Sequence, residues 1–287
     1  RHPARPSKGH HLLTATTVDD LAPAPAPYRR PRGLAAVAHD ASITTWRNLV
    51  QLPRTPELVL FTLIQPVMFV LLFNYVFGGS IGGSLPPGVS YAQFLIPGIM
   101  VQTIVFGTSA TSVGLAEDLQ KGIVDRFRSL PIARSAVLSG RILADTVRLT
   151  VVAIVLIAVG YIVGFRFEGG IFWGLMMIVV AVGFGFAMSW IMANIGMAVK
   201  DPETAQTAGF VWLFPLTFVS SAFVPVTTMP DWLQAIARNN PVTLVANLLR
   251  ELSVGRPLAA TVVPVLLWIA GITVVFAPLA VNRYRKV

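Results

Sequence analysis

The chain has 287 residues, 54% apolar and only 12% charged, with a formal net charge of +9 and no cysteine. A soluble domain carries about 25% charged residues, and from Leu58 to Ala116 this chain runs 59 residues without Asp, Glu, Lys, Arg or His. Two bilayer crossings require such a stretch and soluble folds do not, which excludes a soluble enzyme, a nucleic-acid-binding module, a disulfide-stapled secreted domain and thiolate metal sites.

Residues 1–33 are rich in Pro, Ala and Arg, and Ala22 to Pro27 alternate Ala with Pro. Alternating proline removes donors and forbids helix, so a disordered cytoplasmic tail is expected. It lacks an apolar core of signal-peptide type, so the first crossing is expected to insert uncleaved. Opening on Arg1 rather than Met fits a trimmed start. Leu34–Leu52 then reads as an amphipathic helix, with Ile43, Trp46, Leu49 and Val50 on one arc and Asp40, Thr44, Arg47, Asn48 and Gln51 on another. Such a helix lies in the interface plane with Trp46 at the headgroups; a solvated continuation of the tail is the plainer alternative.

About 20 apolar helical residues cover a hydrocarbon layer of about 30 Å, and six windows qualify: 58–77, 94–115, 143–165, 171–199, 205–224 and 258–281. The expected fold is therefore all-α and integral to the membrane, with residues 34–287 as one transmembrane domain. Asp145 and Arg148 fall in the first two turns of the third window, which predicts them at headgroup level. With both termini in the cytoplasm, inner segments hold 18 Lys or Arg and outer ones hold four, Arg166, Arg238, Arg250 and Arg256. That is the positive-inside asymmetry, so the net charge is read as topology rather than as attraction to nucleic acid.

Between the second and third windows, Glu117, Asp118, Lys121, Asp125, Arg126 and Arg128 are interleaved with Ile123, Val124, Phe127 and Leu130. Pro131 ends any helix there. Apolar side chains among charges on a cytoplasmic loop suit docking to another protein, or equally a segment resting on lipid headgroups. Between the fifth and sixth windows, Asp231–Ile236 and Val242–Leu249 are short apolar helical stretches separated by Asn239, Asn240 and Pro241. They are too short to cross and read as re-entrant or capping elements on the outer side.

All four histidines precede the first window, and Asp145 is the one acid inside any window. An intramembrane metal site or self-sufficient proton coupling is thereby disfavoured. A GxxxxGK[ST] phosphate loop is absent, so an ATP-driven machine would need another chain to bind nucleotide. Uncharged polar residues do enter the windows, among them Asn74, Gln102, Ser109 and Ser221, and Gln102, Phe106 and Ser109 share one helical face. Interhelical hydrogen bonding explains them as readily as substrate contact, with Ala181 and Gly185 allowing close helix approach.

The loop from Gln120 through Lys121, Gly122 and on to Pro131 and Ile132, together with Phe218–Pro225, Met229–Gln234, Asn240, Pro241 and Arg250, resembles the ABC type-2 exporter permeases. The nearest likeness is to the daunorubicin/doxorubicin-resistance branch, from about Leu34 to the C-terminus. The resemblance implies a multi-pass protein of the bacterial inner membrane, working with two copies of an ATP-binding subunit and a second permease chain, identical or paralogous. It implies no cofactor in this chain, since ATP and Mg bind the partner. It assigns ATPase coupling to Glu117, Asp118, Lys121, Gly122, Asp125, Arg126, Phe127, Arg128, Leu130 and Pro131, which favours docking for that loop, with Lys200, Asp201 and Glu203 as a secondary contact. Asn74, Gln102, Phe106, Ser109, Phe218 and Ser221 are the candidates for an amphiphile's path. Phe223, Val224, Pro225, Trp232 and Pro241 are the candidates for an outer gate. Two rivals are an integral-membrane lipid-modifying enzyme using Asp231, Arg238, Asn239 and Asn240, and an ATP-independent secondary carrier.

Overall fold

The computed structural model describes residues 56–79, 83, 90–122 and 134–286. The expected tail, the interfacial helix and the loop positions Asp125, Arg126, Phe127, Arg128, Leu130 and Pro131 lie outside the described residues. Among the described residues the regular structure is helical, with no strand.

Helix α1 (Pro56–Leu72) continues into a wider π-type turn over Phe73–Phe77. Ser90 starts α2 (Tyr91–Gly107), its Oγ accepting the Gln93 N–H at 3.2 Å. After a single interrupting residue, Thr108, the chain continues as α3 (Ser109–Gln120). Then follow α4 (Arg134–Val163), α5 (Ile171–Gly196) and α6 (Pro202–Phe218). Asp201 caps α6 by accepting the Thr204 N–H, and Pro202 occupies the first turn, where a missing donor costs nothing. Beyond α6 come a short 3-10 turn (Val226–Thr228), α7 (Asp231–Asn239), α8 (Pro241–Ser253) and the long α9 (Ala259–Lys286).

Among the described residues, four stretches are long and apolar enough to cross a bilayer: Tyr91–Gln120, Val137–Val163, Ile171–Gly196 and Ala259–Tyr284. Helices α1 and α6 have 17 residues each, about 26 Å at 1.5 Å per residue and just short of the hydrocarbon layer. Two boundaries differ from the sequence windows. Helix α6 ends at Phe218, and residues 219–224 leave the helical path in turns. Helix α4 starts at Arg134, nine residues before its apolar window. Asp145 and Arg148 therefore stand three and four turns inside it rather than in its first two turns. Hydropathy locates the greasy part of a helix, whereas here the polar part is just as helical.

Helix α5 is the hub, packing against α9, α3, α4, α8, α2 and α6. At its centre Gly185 faces Ile104 and Leu149, and a Cβ there would stand 2.6 Å from Ile104 Cγ2. The absent side chain is what brings α2, α4 and α5 together, the close-approach role expected of Gly185. Around this contact Ile99, Met100, Met177, Phe184 and Met188 are fully buried. The outer faces of α4 and α9 expose Val151, Ile154, Ile162, Leu267, Val274 and Leu279, while Thr108, Thr111, Ser112 and Ser189 are buried. Burying polar groups between helices and turning apolar ones outward is the arrangement a hydrocarbon solvent selects, because backbone and hydroxyl groups find partners only within the protein.

Candidate functional site

The inner end of α3 carries the described part of the loop. Glu117 and Lys121 form an exposed i,i+4 pair at 3.0 Å. Asp118 reaches across to Arg141 of α4. Gly122 takes a left-handed φ of +65°, which ends the helix and turns the chain away from it. Lys200 and Glu203 are exposed. Asp201 is committed to its cap, accepting the Thr204 N–H and Oγ1–H at 2.8 Å each. Those two donors hold its carboxyl below the usual carboxylate range.

The path residues do not form one surface. Gln102 is 3% exposed and enclosed among the helices. Phe106 meets Phe210 of α6 with ring centroids 5.4 Å apart, and Ser109 is half-buried beside them. Asn74 is half-buried in the π-type turn, far along the chain at the other end of α1. Phe218 is 41% exposed and stacks on Phe214 at 4.2 Å. With Phe210 and Val211, these rings leave an apolar face of α6 open.

Of the outer-gate residues, Phe223 is buried and stacked on Phe73 at 4.7 Å, with Phe218 at 5.4 Å. Val224 and Pro225 follow it half-buried, and Pro241 starts α8. Trp232 stands apart, 69% exposed on the outer face of α7. Asn240, between α7 and α8, donates to Leu216 O and Val219 O at 2.7 and 2.6 Å and accepts the Val242 N–H at 2.8 Å. It thus satisfies the carbonyls that α6 releases where it ends. Of the polar residues of the enzyme alternative, Asn239 bonds Ala235 O and Arg238 bonds Gln234 within their own helix, while Asn240 reaches across to α6.

The sequence placed Arg250 among the outer cations and within a motif, with no further role. Its Nε donates to Phe94 O at 2.9 Å, one terminal nitrogen to Ser221 Oγ and Asn247 Oδ1, and the other to Ser221 O and Ala222 O. All five N–H groups of the guanidinium therefore have acceptors. Its carbon lies 3.6 Å from the centroid of the Phe94 ring. Ser221 is thereby drawn into this knot rather than into a path, its hydroxyl also donating to Asn247 Oδ1 at 3.0 Å. A signal was available: Val242, Ala246 and Arg250 follow at i+4 spacing, so the cation sits on the apolar stripe of its helix.

Among the described residues, no group of three or more His, Asp or Glu could hold a metal ion. What the geometry presents is a helical bundle with an apolar exterior, a charged end around Glu117, Asp118 and Arg141 and a pinned end around Arg250, that is, a multi-pass membrane protein. The ABC-2 type transporter family model matches residues 40–253. The chain is 37% identical over 256 residues, 89% of either protein, to the daunorubicin resistance ABC transporter permease protein DrrB1 of Streptomyces coeruleorubidus. It is 27% identical over 277 residues to the probable doxorubicin resistance ABC transporter permease protein DrrC of Mycobacterium tuberculosis, covering 96% of this chain and 99% of the relative. It is also 26% identical over 186 residues to the inner membrane transport permease YadH of Escherichia coli K12, covering 63% of this chain and 71% of the relative. The chain belongs to the ABC-2 type transporter family, as a permease subunit.

Proposed function

We propose that this chain is the membrane-spanning half of an ATP-driven exporter that moves an amphiphilic drug, antibiotic or lipid out of a bacterial cell across the inner membrane. In this reading the chain crosses six times with both ends inside, and α7 and α8 are re-entrant caps on the outer side. Two copies of a separate ATP-binding subunit bind ATP and Mg and dock on residues 117–131, with 200–203 as a lesser contact. A second permease chain, identical or paralogous, completes the pathway. The observation that carries the reading is the near full-length similarity to a daunorubicin resistance permease, and the missing phosphate loop agrees with it. The open aromatic face of α6 (Phe210, Phe214 and Phe218) beside Phe106 offers an amphiphile flat apolar area. An amphiphile gains about 25 cal/mol per Å2 of apolar surface that such a wall shields from water, a non-directional gain with little selectivity.

The test is the double variant Asp125→Ala/Arg126→Ala in the reconstituted complex. It should leave the permease folded and in the membrane while drug-stimulated ATP hydrolysis no longer drives export. Unchanged export removes the docking assignment. Solute movement by the permease alone, driven by a proton gradient, would instead establish the carrier alternative, and lipid turnover by the purified chain the enzyme.

A further inference from the structure

Midway along the longest described stretch of the second crossing the helical ladder is rewired. The Thr108 N–H lies 3.2 Å from both Ile104 O and Val105 O, and its hydroxyl donates to Val105 O at 2.6 Å. The Thr111 N–H bonds Thr108 O at 2.9 Å instead of the regular Gly107 O. The Gly107 carbonyl is released by this change, and Arg148 of α4 takes it at 2.8 Å. Below the break, Thr111 Oγ1 donates to Asp145 Oδ2 at 2.7 Å, and Asp145 Oδ1 lies 3.6 Å from Arg148 Nε. One acid–base pair on α4 therefore holds both sides of the interruption. A third rung, Asp118 to Arg141, lies two turns further in. Glycines make room at both levels: a Cβ at Gly107 would meet Leu149 Cδ2 at 2.7 Å, and one at Gly114 would meet the Arg141 guanidinium.

Charged groups inside a membrane helix are expensive and are kept where they act. The Asp145 and Arg148 side chains are only 16% and 18% exposed. From Gln120 to Gly107 is about 20 Å of helix, so the rungs climb from the loop well into the bundle. Helix α3 also packs closely on α6, with Ser109 and Ser112 facing Gly209. Phe106, by contrast, sits above the break on α2 while touching Phe210 of α6.

We propose that Asp145 and Arg148 are positioning residues that make α3 and the inner half of α4 one lever hinged at Thr108, so that displacement of the Glu117–Gly122 end of α3 parts Phe106 from Phe210. This rests on the export reading above. A rigid lever moves α3 and α6 against α2, and the hinge works because the Gly107 carbonyl is satisfied from α4 rather than from its own helix.

The experiment compares Arg148→Met, Arg148→Lys and Thr111→Val in vesicles holding the permease and its ATP-binding subunit, with a fluorescent anthracycline as probe. Arg148→Met should lower the probe moved per ATP about fivefold with hydrolysis within about twofold of wild type, and Arg148→Lys should recover more than half of the loss. Amide hydrogen exchange of the permease alone should rise about tenfold over residues 108–112 and stay unchanged over 94–104. If Arg148→Met does not accumulate, Thr111→Val decides, with a fall of about twofold expected in the same ratio. An unchanged ratio, or hydrolysis and export falling in proportion, overturns the lever. If the wild-type complex moves no probe with ATP, the export reading fails instead, and the exchange measurement still judges the hinge: unchanged exchange over 108–112 overturns it.

Discussion

The two ends of the bundle handle buried cations in opposite ways. At the outer end Arg250 is enclosed by backbone carbonyls, Ser221, Asn247 and the Phe94 ring, and among the described residues no carboxylate pairs with it. At the inner end Arg141 and Arg148 each face an acid on or beside their own helix. A cation held by carbonyls from three separate segments cannot leave without weakening all of them at once, because each acceptor gives up a charge-assisted bond in an apolar medium. A cation paired with a carboxylate ties one helix to its neighbour and leaves the rest of the bundle unbound by it. The Arg250 end is thus knotted across several segments, and the Arg141 and Arg148 end is braced pairwise between α3 and α4.

The strongest way to break this contrast is Arg250→Met. Hydrogen bonds to a charged group are worth about 1.5–3 kcal/mol each, so losing several should cost at least about 3 kcal/mol. Hydrogen exchange should rise over residues 219–225 and 241–253 with 109–120 unaffected; equal loss at both ends would erase the distinction. A milder probe of the outer knot is Gly98→Ala. Any Cβ at Gly98 runs into the Ala222 carbonyl of the turn that Arg250 grips. Overpacking of this kind costs about 1–3 kcal/mol, read as a lower melting temperature in lipid nanodiscs, and an unchanged value would mean the turn is free to shift.

The smallest effect belongs to Asp201→Ala at the inner end. The Asp201 carboxyl is held below its ordinary pKa by the Thr204 N–H and hydroxyl. Its contribution is therefore complete above the ordinary value of 3.8 and is lost as pH falls through the lower folded one. The wild type's slight advantage in melting temperature over Asp201→Ala should be constant near neutrality and vanish in strong acid. A gap that persists there excludes the cap as its source.

Much of the architecture is legible along the chain, for reasons that differ by segment. Helices α5 and α9 announce themselves because a membrane-spanning helix must be apolar over its whole length. The pair α7 and α8 is equally readable, since Asn239, Asn240 and Pro241 leave only one place for the break. The start of α4 was hidden because residues 134–142 are polar enough to look like loop, and helix formation there depends on Leu138 and Ile142 packing with Leu115 and Trp190. The break at Thr108 was hidden too. Threonine in a membrane helix is ordinary, and only the Arg148 contact from α4 makes a released carbonyl tolerable.

By itself, the order of residues determined that this protein lives in a membrane, which stretches are apolar enough to enter it, and which loop bears mixed charge. Those are properties of transfer from water to hydrocarbon, additive along the chain and blind to what lies alongside. The tertiary structure alone decided which polar groups meet: Arg250 with three chain segments, Asp145 and Arg148 with the two sides of a broken helix. Such pairings depend on helix register and crossing, and in a solvent without hydrogen bonds of its own every buried donor is answered only by whatever neighbour the packing supplies.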